Sequence, residues 1–250
     1  MKQTYKLGLI VLAILVADQA LKIWVKTHMY YGQEIPILGL DWALLHFVEN
    51  KGMAFGLSLG DGEGWGKLTL SLFRIAAVGM LLYYLRKLVK QGASFGLLVC
   101  FALILAGAIG NIIDSAFYGL IFSESPLHVR TPAELFPADG GYGGFLYGKV
   151  VDMFHFPIYR GVLPEWVPFW GGQYVEFFRP VFNIADASIT IGVLSLLFFH
   201  RDFFRDSEEV NGHAKVATMD GKSGVAFREK EERIPTPQSP RHGSSATDYQ

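Results

Sequence analysis

Residues 94–115 read SFGLLVCFALILAGAIGNIIDS. No charged side chain occurs from Ser94 to Ile113, and about 20 apolar residues in helix cross a bilayer core of roughly 30 Å. The stretch predicts a membrane-spanning helix that ends at Asp114. Within it Gly107, Asn111 and Asp114 follow helical spacing and form one polar stripe. Ala102, Ala106 and Gly110 form a second stripe of small residues, which lets another helix approach closely. Asn111 and Asp114 can serve such packing as structural hydrogen-bonding groups, or they can serve a site.

Outward from this helix, three more stretches are apolar enough to span. The first runs about Leu7–Val25 and contains Asp18 and Lys22, the second about Leu68–Leu85 with Arg74 near its start, and the fourth about Val181–Phe199 with Asp186 as its only charge. The expected fold is an α-helical membrane protein with four transmembrane helices over residues 1–205. Residues 206–250 form a charged segment ending IPTPQSPRHGSSATDYQ, expected to be a disordered cytoplasmic tail. The first stretch has the basic start of a signal peptide (Lys2, Lys6), but it runs into ADQALKIWVK rather than a small-residue cleavage site. It is therefore read as a retained span.

Lys and Arg in short flanks set orientation. Lys2 and Lys6, then Arg86, Lys87 and Lys90, then Arg201 and Arg205 fall on one side of the four spans. Both termini are then cytoplasmic, and regions 26–66 and 115–180 face outward, with Lys22 and Lys26 as local exceptions. Two outward segments, IPILGLDWALLHFVEN (35–50) and KVVDMFHFPIY (149–159), read as strands. The Pro- and Gly-rich stretch 122–148 reads as a loop or small insertion. Trp24, Trp42, Trp65 and Phe182 suit an outer interface.

Composition agrees. The chain is 51% hydrophobic with a net charge of -1 and a mean hydropathy of +0.28, which speaks against nucleic acid as a partner. One cysteine, Cys100, excludes an internal disulfide framework.

Ionisable groups inside a membrane are costly, so each is a candidate for function. Asp18 and Lys22 lie four apart on one helix face, either as a structural ion pair with Lys22 reaching to the interface or in contact with a site. Arg74 is expected to snorkel to the outer interface. Asn183 and Asp186 share a face about one turn into the fourth span. Asp152 sits among apolar residues on the same outer side. Two carboxyls that meet in a dry place share a proton, because like charges a few Å apart cannot both ionise. One can activate water while the other supports a carbonyl oxygen, which is the equipment of metal-free amide hydrolysis. Spacing alone does not bring Asp152 and Asp186 together. Other chemistries fit less well. There is no H-E-x-x-H, GDGEGWGKLT lacks the P-loop pattern, and Gly92–Gly96 matches G-x-S-x-G only in a link between two helices. The rival from another class is a small proton- or cation-coupled transporter. It needs polar stripes through to the cytoplasmic ends, and the inner halves of spans 1, 3 and 4 are almost wholly apolar. A non-catalytic lipid-binding or scaffold protein is a third reading.

Five blocks together resemble bacterial lipoprotein signal peptidase (signal peptidase II): DQALK at 18–22, ENKGMAFG at 49–56, AGAIGNIIDS at 106–115, VVDMF at 150–154 and FNIADASI at 182–189. The resemblance covers about residues 7–200. It implies an inner-membrane aspartic endopeptidase, without cofactor or metal. Such an enzyme removes the signal peptide of diacylglyceryl-modified prolipoproteins, just before the lipidated Cys. It further implies a monomer inhibited by globomycin, with a small periplasmic β-cradle, a periplasmic helix and an active site near the periplasmic face. The dyad it implies is Asp152 and Asp186. Asp18, Lys22, Asn50, Gly52, Phe55, Asn111, Asp114 and Asn183 would support the dyad or bind substrate. There are departures. The family pattern GGxxGNxxDR meets Ala106 in place of the first Gly and Ser115 in place of the Arg. Asp114 and Asp152 lie 38 positions apart, farther than the family pattern has them, so an outward loop is inserted. The task of that Arg either moves elsewhere, with Arg130 or another loop residue as candidates, or is dropped.

Overall fold

A computed structural model of the chain describes residues 2–50, 65–201 and 203. Gly52, Phe55 and the 206–250 segment lie outside the described residues. The described residues up to Phe199 form one compact unit.

Helix α1 runs Lys2–His28, α2 Trp65–Lys90 and α3 Phe95–Ile113. At 1.5 Å per residue, the 27 residues of α1 and the 26 of α2 exceed a bilayer core. Ser94 caps α3, its hydroxyl accepting from the Leu97 N–H. Past Ile113 the helix continues through one π turn, Asp114–Tyr118, into a last turn, α4 (Gly119–Ile121). The π turn has a local cause. The Ser115 hydroxyl donates to the Asn111 carbonyl at 3.0 Å, and loop 143–148 donates into the freed carbonyls of Ser115, Ala116 and Gly119.

Antiparallel strands β1 (Glu34–Ile37), β2 (Leu40–Asn50), β3 (Val150–His155) and β6 (Val181–Phe182) form one sheet in the order β1-β2-β3-β6. The β1–β2 link is a two-residue turn with φ +52° at Leu38 and +75° at Gly39, the left-handed pair that a tight hairpin requires. Val151 and Met153 of β3 turn into an apolar core with Val25, Met29, Phe47, Tyr118 and Phe122. Alternation sends Val150 and Asp152 to the opposite face, and Val48 lies across from Asp152.

Helix α5 (Ile184–Phe199) follows β6 after a single residue. Three helices are long and apolar enough to cross a membrane, and α5 is a shorter apolar helix. The expected fourth span therefore begins late, because Val181 and Phe182 pair with His155 and Phe154 as sheet instead. No separate helix stands in stretches 29–50 or 122–180, all of them described residues. Instead a second hairpin, β4 (Tyr159–Val162) with β5 (Tyr174–Phe177), rises between β3 and β6. Stretch 122–148 is the expected loop, with one bridge, Phe122 to Leu135.

Small residues set the helix packing. A Cβ on Gly107 would fall 2.2 Å from the Ala185 carbonyl, and one on Gly110 would fall 2.8 Å from Asp18 Oδ2. Gly107 of the polar stripe and Gly110 of the small stripe thus seat α5 and α1 against α3 at the end where the polar side chains gather.

Candidate active site

Four elements meet at the upper end of α3. Helix α1 brings Asp18, Gln19 and Lys22, α3 and its π turn bring Asn111, Asp114 and Ser115, β3 brings Asp152, and the start of α5 brings Asn183 and Asp186. Asp18, Lys22, Asp114, Asp152 and Asn183 are all buried.

Lys22 is the cation at the centre. Its Nζ lies 2.9 Å from Asp18 Oδ2 and 2.8 Å from Asp114 Oδ2, and it donates to Asn111 Oδ1 at 3.0 Å. Lys22 is fully buried, so it does not snorkel. The ion pair with Asp18 is present, and Lys22 also reaches Asp114 and Asn111 of α3 and its π turn. Asp18 also accepts the Ala185 N–H at 2.9 Å, where a carboxylate complements the positive end of α5. Asp114 accepts from Gln19 Nε2 at 2.9 Å and from the Val151 N–H at 3.2 Å. It therefore fastens β3 to α1.

Asn183 joins the two candidate dyad acids. Its side-chain oxygen accepts the Asp186 N–H at 2.9 Å, and Asp186 Oδ2 accepts the Asn183 N–H at 3.3 Å. This is a reciprocal capping box at the start of α5. The Asn183 amide donates to Asp152 Oδ1 at 2.7 Å and to Asn111 Oδ1 at 3.2 Å. Asp186 Oδ1 accepts from Asn111 Nδ2 at 2.8 Å. Burial, reinforced by the charge of Asp186, raises the Asp152 carboxyl to about 8, so Asp152 holds its proton near neutrality. Asn50 ends β2 opposite Val150, two residues from Asp152.

The cluster contains residues that the sequence patterns did not single out. Gln19 is one, and Tyr118, whose hydroxyl donates to Gln19 Oε1 at 3.1 Å, is another. Their signal was present but weak: a polar residue beside Asp18, and an aromatic one turn beyond Asp114. Arg74 is not merely an interface anchor. Its Nη1 donates to Ser115 Oγ at 3.3 Å, and its charge acts on Asp186, Asp114 and Asp152. A guanidinium from α2 thus stands beside the position where the family pattern has an arginine and this chain has Ser115. Arg130, one candidate for that arginine's task, lies over the Tyr30 ring. Lys26 is also fully buried, paired with Glu49 and donating to Ser125 Oγ at 2.9 Å. Lys22 and Lys26 are therefore matched by acids, which accounts for their departure from the charge rule.

The family model for signal peptidase (SPase) II matches residues 10–201. A lipoprotein signal peptidase of Porphyromonas gingivalis is 52% identical over 189 residues, 75% of this chain and 79% of that protein. One from Amoebophilus asiaticus is 38% identical over 203 residues, covering 80% and 79%. One from Chlorobium phaeobacteroides BS1 is 32% identical over 192 residues, covering 76% and 92%. A solved bacterial membrane enzyme overlays with a TM-score of 0.49 at 21% identity, covering 82% of this chain and 90% of its own, a likeness too loose to carry detail. With its apolar helices and buried carboxyls, the chain is a multi-pass membrane peptidase of the aspartic type. It belongs to the signal peptidase II family.

Proposed function

We propose that Asp152 and Asp186 form the catalytic dyad that cuts the signal peptide from diacylglyceryl-modified prolipoproteins, before the lipidated Cys. The observation that carries this reading is the double engagement of Asn183. One residue caps Asp186 through its backbone and side-chain oxygen, and holds Asp152 Oδ1 at 2.7 Å through its amide.

The chemistry follows from the two environments. Asp152, with its carboxyl raised to about 8, enters the reaction protonated. Asp186 accepts N–H bonds from Asn111 and Asn183 in the first turn of α5, a setting suited to a carboxylate. Asp186 takes a proton from water as the water oxygen attacks the scissile carbonyl. Asp152 donates its proton to the carbonyl oxygen, giving a neutral gem-diol. Asp152 then recovers that proton as the carbonyl reforms, the C–N bond breaks, and Asp186 passes its proton to the leaving amine. Lys22, Asn111, Asp114 and Arg74 position the dyad, and the resemblance gives Gly52 and Phe55 a supporting or substrate-binding role.

Four spans are proposed, α1, α2, α3 and α5, in the inner membrane with both termini cytoplasmic and the site near the periplasmic face. The basic flanks Lys2 and Lys6, Arg86, Lys87 and Lys90, and Arg201 favour this orientation. Monomeric action and inhibition by globomycin belong to the same proposal. The transporter reading gains no support. Among the described residues, the buried ionisable groups of the helices gather at the end of α1 that holds Asp18, Lys22 and Lys26.

The test is cleavage of a purified diacylglyceryl-modified prolipoprotein in detergent by the native chain, Asp152→Asn and Asp186→Asn. Cleavage by the native chain alone is expected. Full activity in either variant would overturn the dyad.

A further inference from the structure

Hairpin β4–β5 is poorly explained by the protein alone. A two-stranded hairpin is marginal in water without an apolar face to bury. This one buries little. Trp166 is 81% exposed, Phe169 94%, Trp170 61% and Tyr174 65%, and Val162 and Phe177 are also exposed. Phe169 holds φ at +68°, a conformation bulky residues avoid, and still directs its ring outward. Over Leu163–Gln173 the sequence is LPEWVPFWGGQ, and Glu165 is its only charge.

Two further features narrow the surroundings. The tip satisfies much of its backbone internally: Leu163 with Gln173, Gly172 with Leu163, Val167 with Pro164, and Gly171 with Val167, all between 2.9 and 3.1 Å. An apolar phase demands such self-sufficiency of any backbone that enters it. The root of the hairpin is fixed and polar. Arg160 grips both Glu34 oxygens at 2.8 and 2.9 Å and Glu176 at 2.7 Å, so the hairpin is clamped to β1. Glu34, His46 and His155 bring possible metal-ligand atoms within 4.8 Å of one another, and the Arg160 guanidinium is the cation this cluster already holds. The returning strand ends at Phe177, only a few residues before β6 and the start of α5. The exposed aromatics are therefore continuous in the chain with an apolar helix of the membrane bundle.

We propose that the hairpin is a membrane anchor: its tip, Leu163–Gln173, lies in the interface of the lipid leaflet adjoining the active-site end of the helices. Trp and Tyr favour that layer, where ring and polar atoms are both accommodated. The polar clamp at the root fixes the angle of entry, so the anchor sets the height of the β-sheet that carries Asp152 over the bilayer. This inference rests on the chain being a membrane protein and is independent of the dyad.

The full-length protein, with Trp24, Trp42 and Trp65 changed to Phe, retains Trp166 and Trp170 as its only tryptophans. It is reconstituted in phosphatidylcholine bilayers with plain or brominated acyl chains. The expected result is blue-shifted emission and about a twofold or greater loss of fluorescence in the brominated lipid, as for rings at the interface. Red-shifted emission quenched by aqueous iodide would place the tip in water and overturn the proposal. Blue-shifted emission insensitive to bromine would place it against protein, a second copy or another chain, and overturn it equally. If the triple variant fails to protect the buried Cys100 thiol, the native chain is compared with Trp166→Phe/Trp170→Phe. The difference between them isolates the same two rings.

Discussion

Replacing Asp152 by Asn should abolish cleavage and at the same time make the protein more stable, by an amount that grows with pH. An ordinary aspartate titrates at 3.8, whereas burial and the charge of Asp186 raise Asp152 to about 8. Between those values the folded chain keeps a proton that the unfolded chain has released. Stability from this group is therefore complete below pH 3.8, falls as pH rises through 8, and is level above that. Each pH unit across which the folded chain holds that extra proton costs about 1.4 kcal/mol. The full penalty is then about 6 kcal/mol, of which about 4 kcal/mol accrues between pH 5 and pH 8. Asn at this position carries no charge, and its side-chain oxygen can still accept from the Asn183 amide, now 2.7 Å from Asp152 Oδ1.

The assay uses the single cysteine. Cys100 is buried in α3, so a thiol-reactive dye reports unfolding in detergent. At about 2–4 °C per kcal/mol for a chain of this size, Asp152→Asn should melt above the native protein by about 10–20 °C at pH 8, and by only about 3–6 °C at pH 5. Groups such as Glu34 and Lys149 titrate in both proteins and cancel in the difference. Asp186→Asn should recover part of the same effect, since the Asp186 charge helps to hold the proton on Asp152. Native and Asp152→Asn curves with the same pH dependence would refute the claim that Asp152 is a buried, protonated carboxyl.

Lys22→Met leaves Asp18 and Asp114 buried without their shared cation; a loss of about 3–5 kcal/mol is expected, and a Cys100 melting curve superimposable on the native one would refute it. Gly110→Ala puts a methyl 2.8 Å from Asp18 Oδ2 and 3.1 Å from Ala185 Cβ, costing about 1–3 kcal/mol. Gly8→Ala, with nothing within 4 Å of the new methyl, should leave melting and cleavage unchanged. The rate of cleavage should fall above about pH 8 as Asp152 loses its proton. Arg74→Gln removes a positive charge that acts on Asp152, so it should move that limb to higher pH by up to about one pH unit; an unmoved limb would reduce Arg74 to a packing residue.

What the sequence could and could not reveal follows from the range of each interaction. Hydropathy located α1, α2 and α3 because crossing a membrane is a local property of about 20 residues. The same signal overran the start of α5. Val181 and Phe182 are as apolar as helix residues, and only the open edge of β3 turns them into strand. Hairpin β4–β5 escaped because its short strands are bounded by Pro and Gly and bury no face, so no alternation marks them. In the site, the Asn111–Asp114 stripe and the Asp18–Lys22 pair were legible from helical spacing. The reach of Lys22 to Asp114, of Arg74 to Ser115 and of Lys26 to Glu49 was not, since each joins distant segments. Asn183 and Asp186 are the instructive case. An N-cap asparagine and an acid three residues later are the spacing that closes a capping box, so helix physics alone accounts for the N-x-x-D pattern. Only the third bond of Asn183, to Asp152 across the fold, turns a helix cap into the link between two carboxyls. That bond is invisible until β3 is placed, and Asp114 places it by accepting the Val151 N–H.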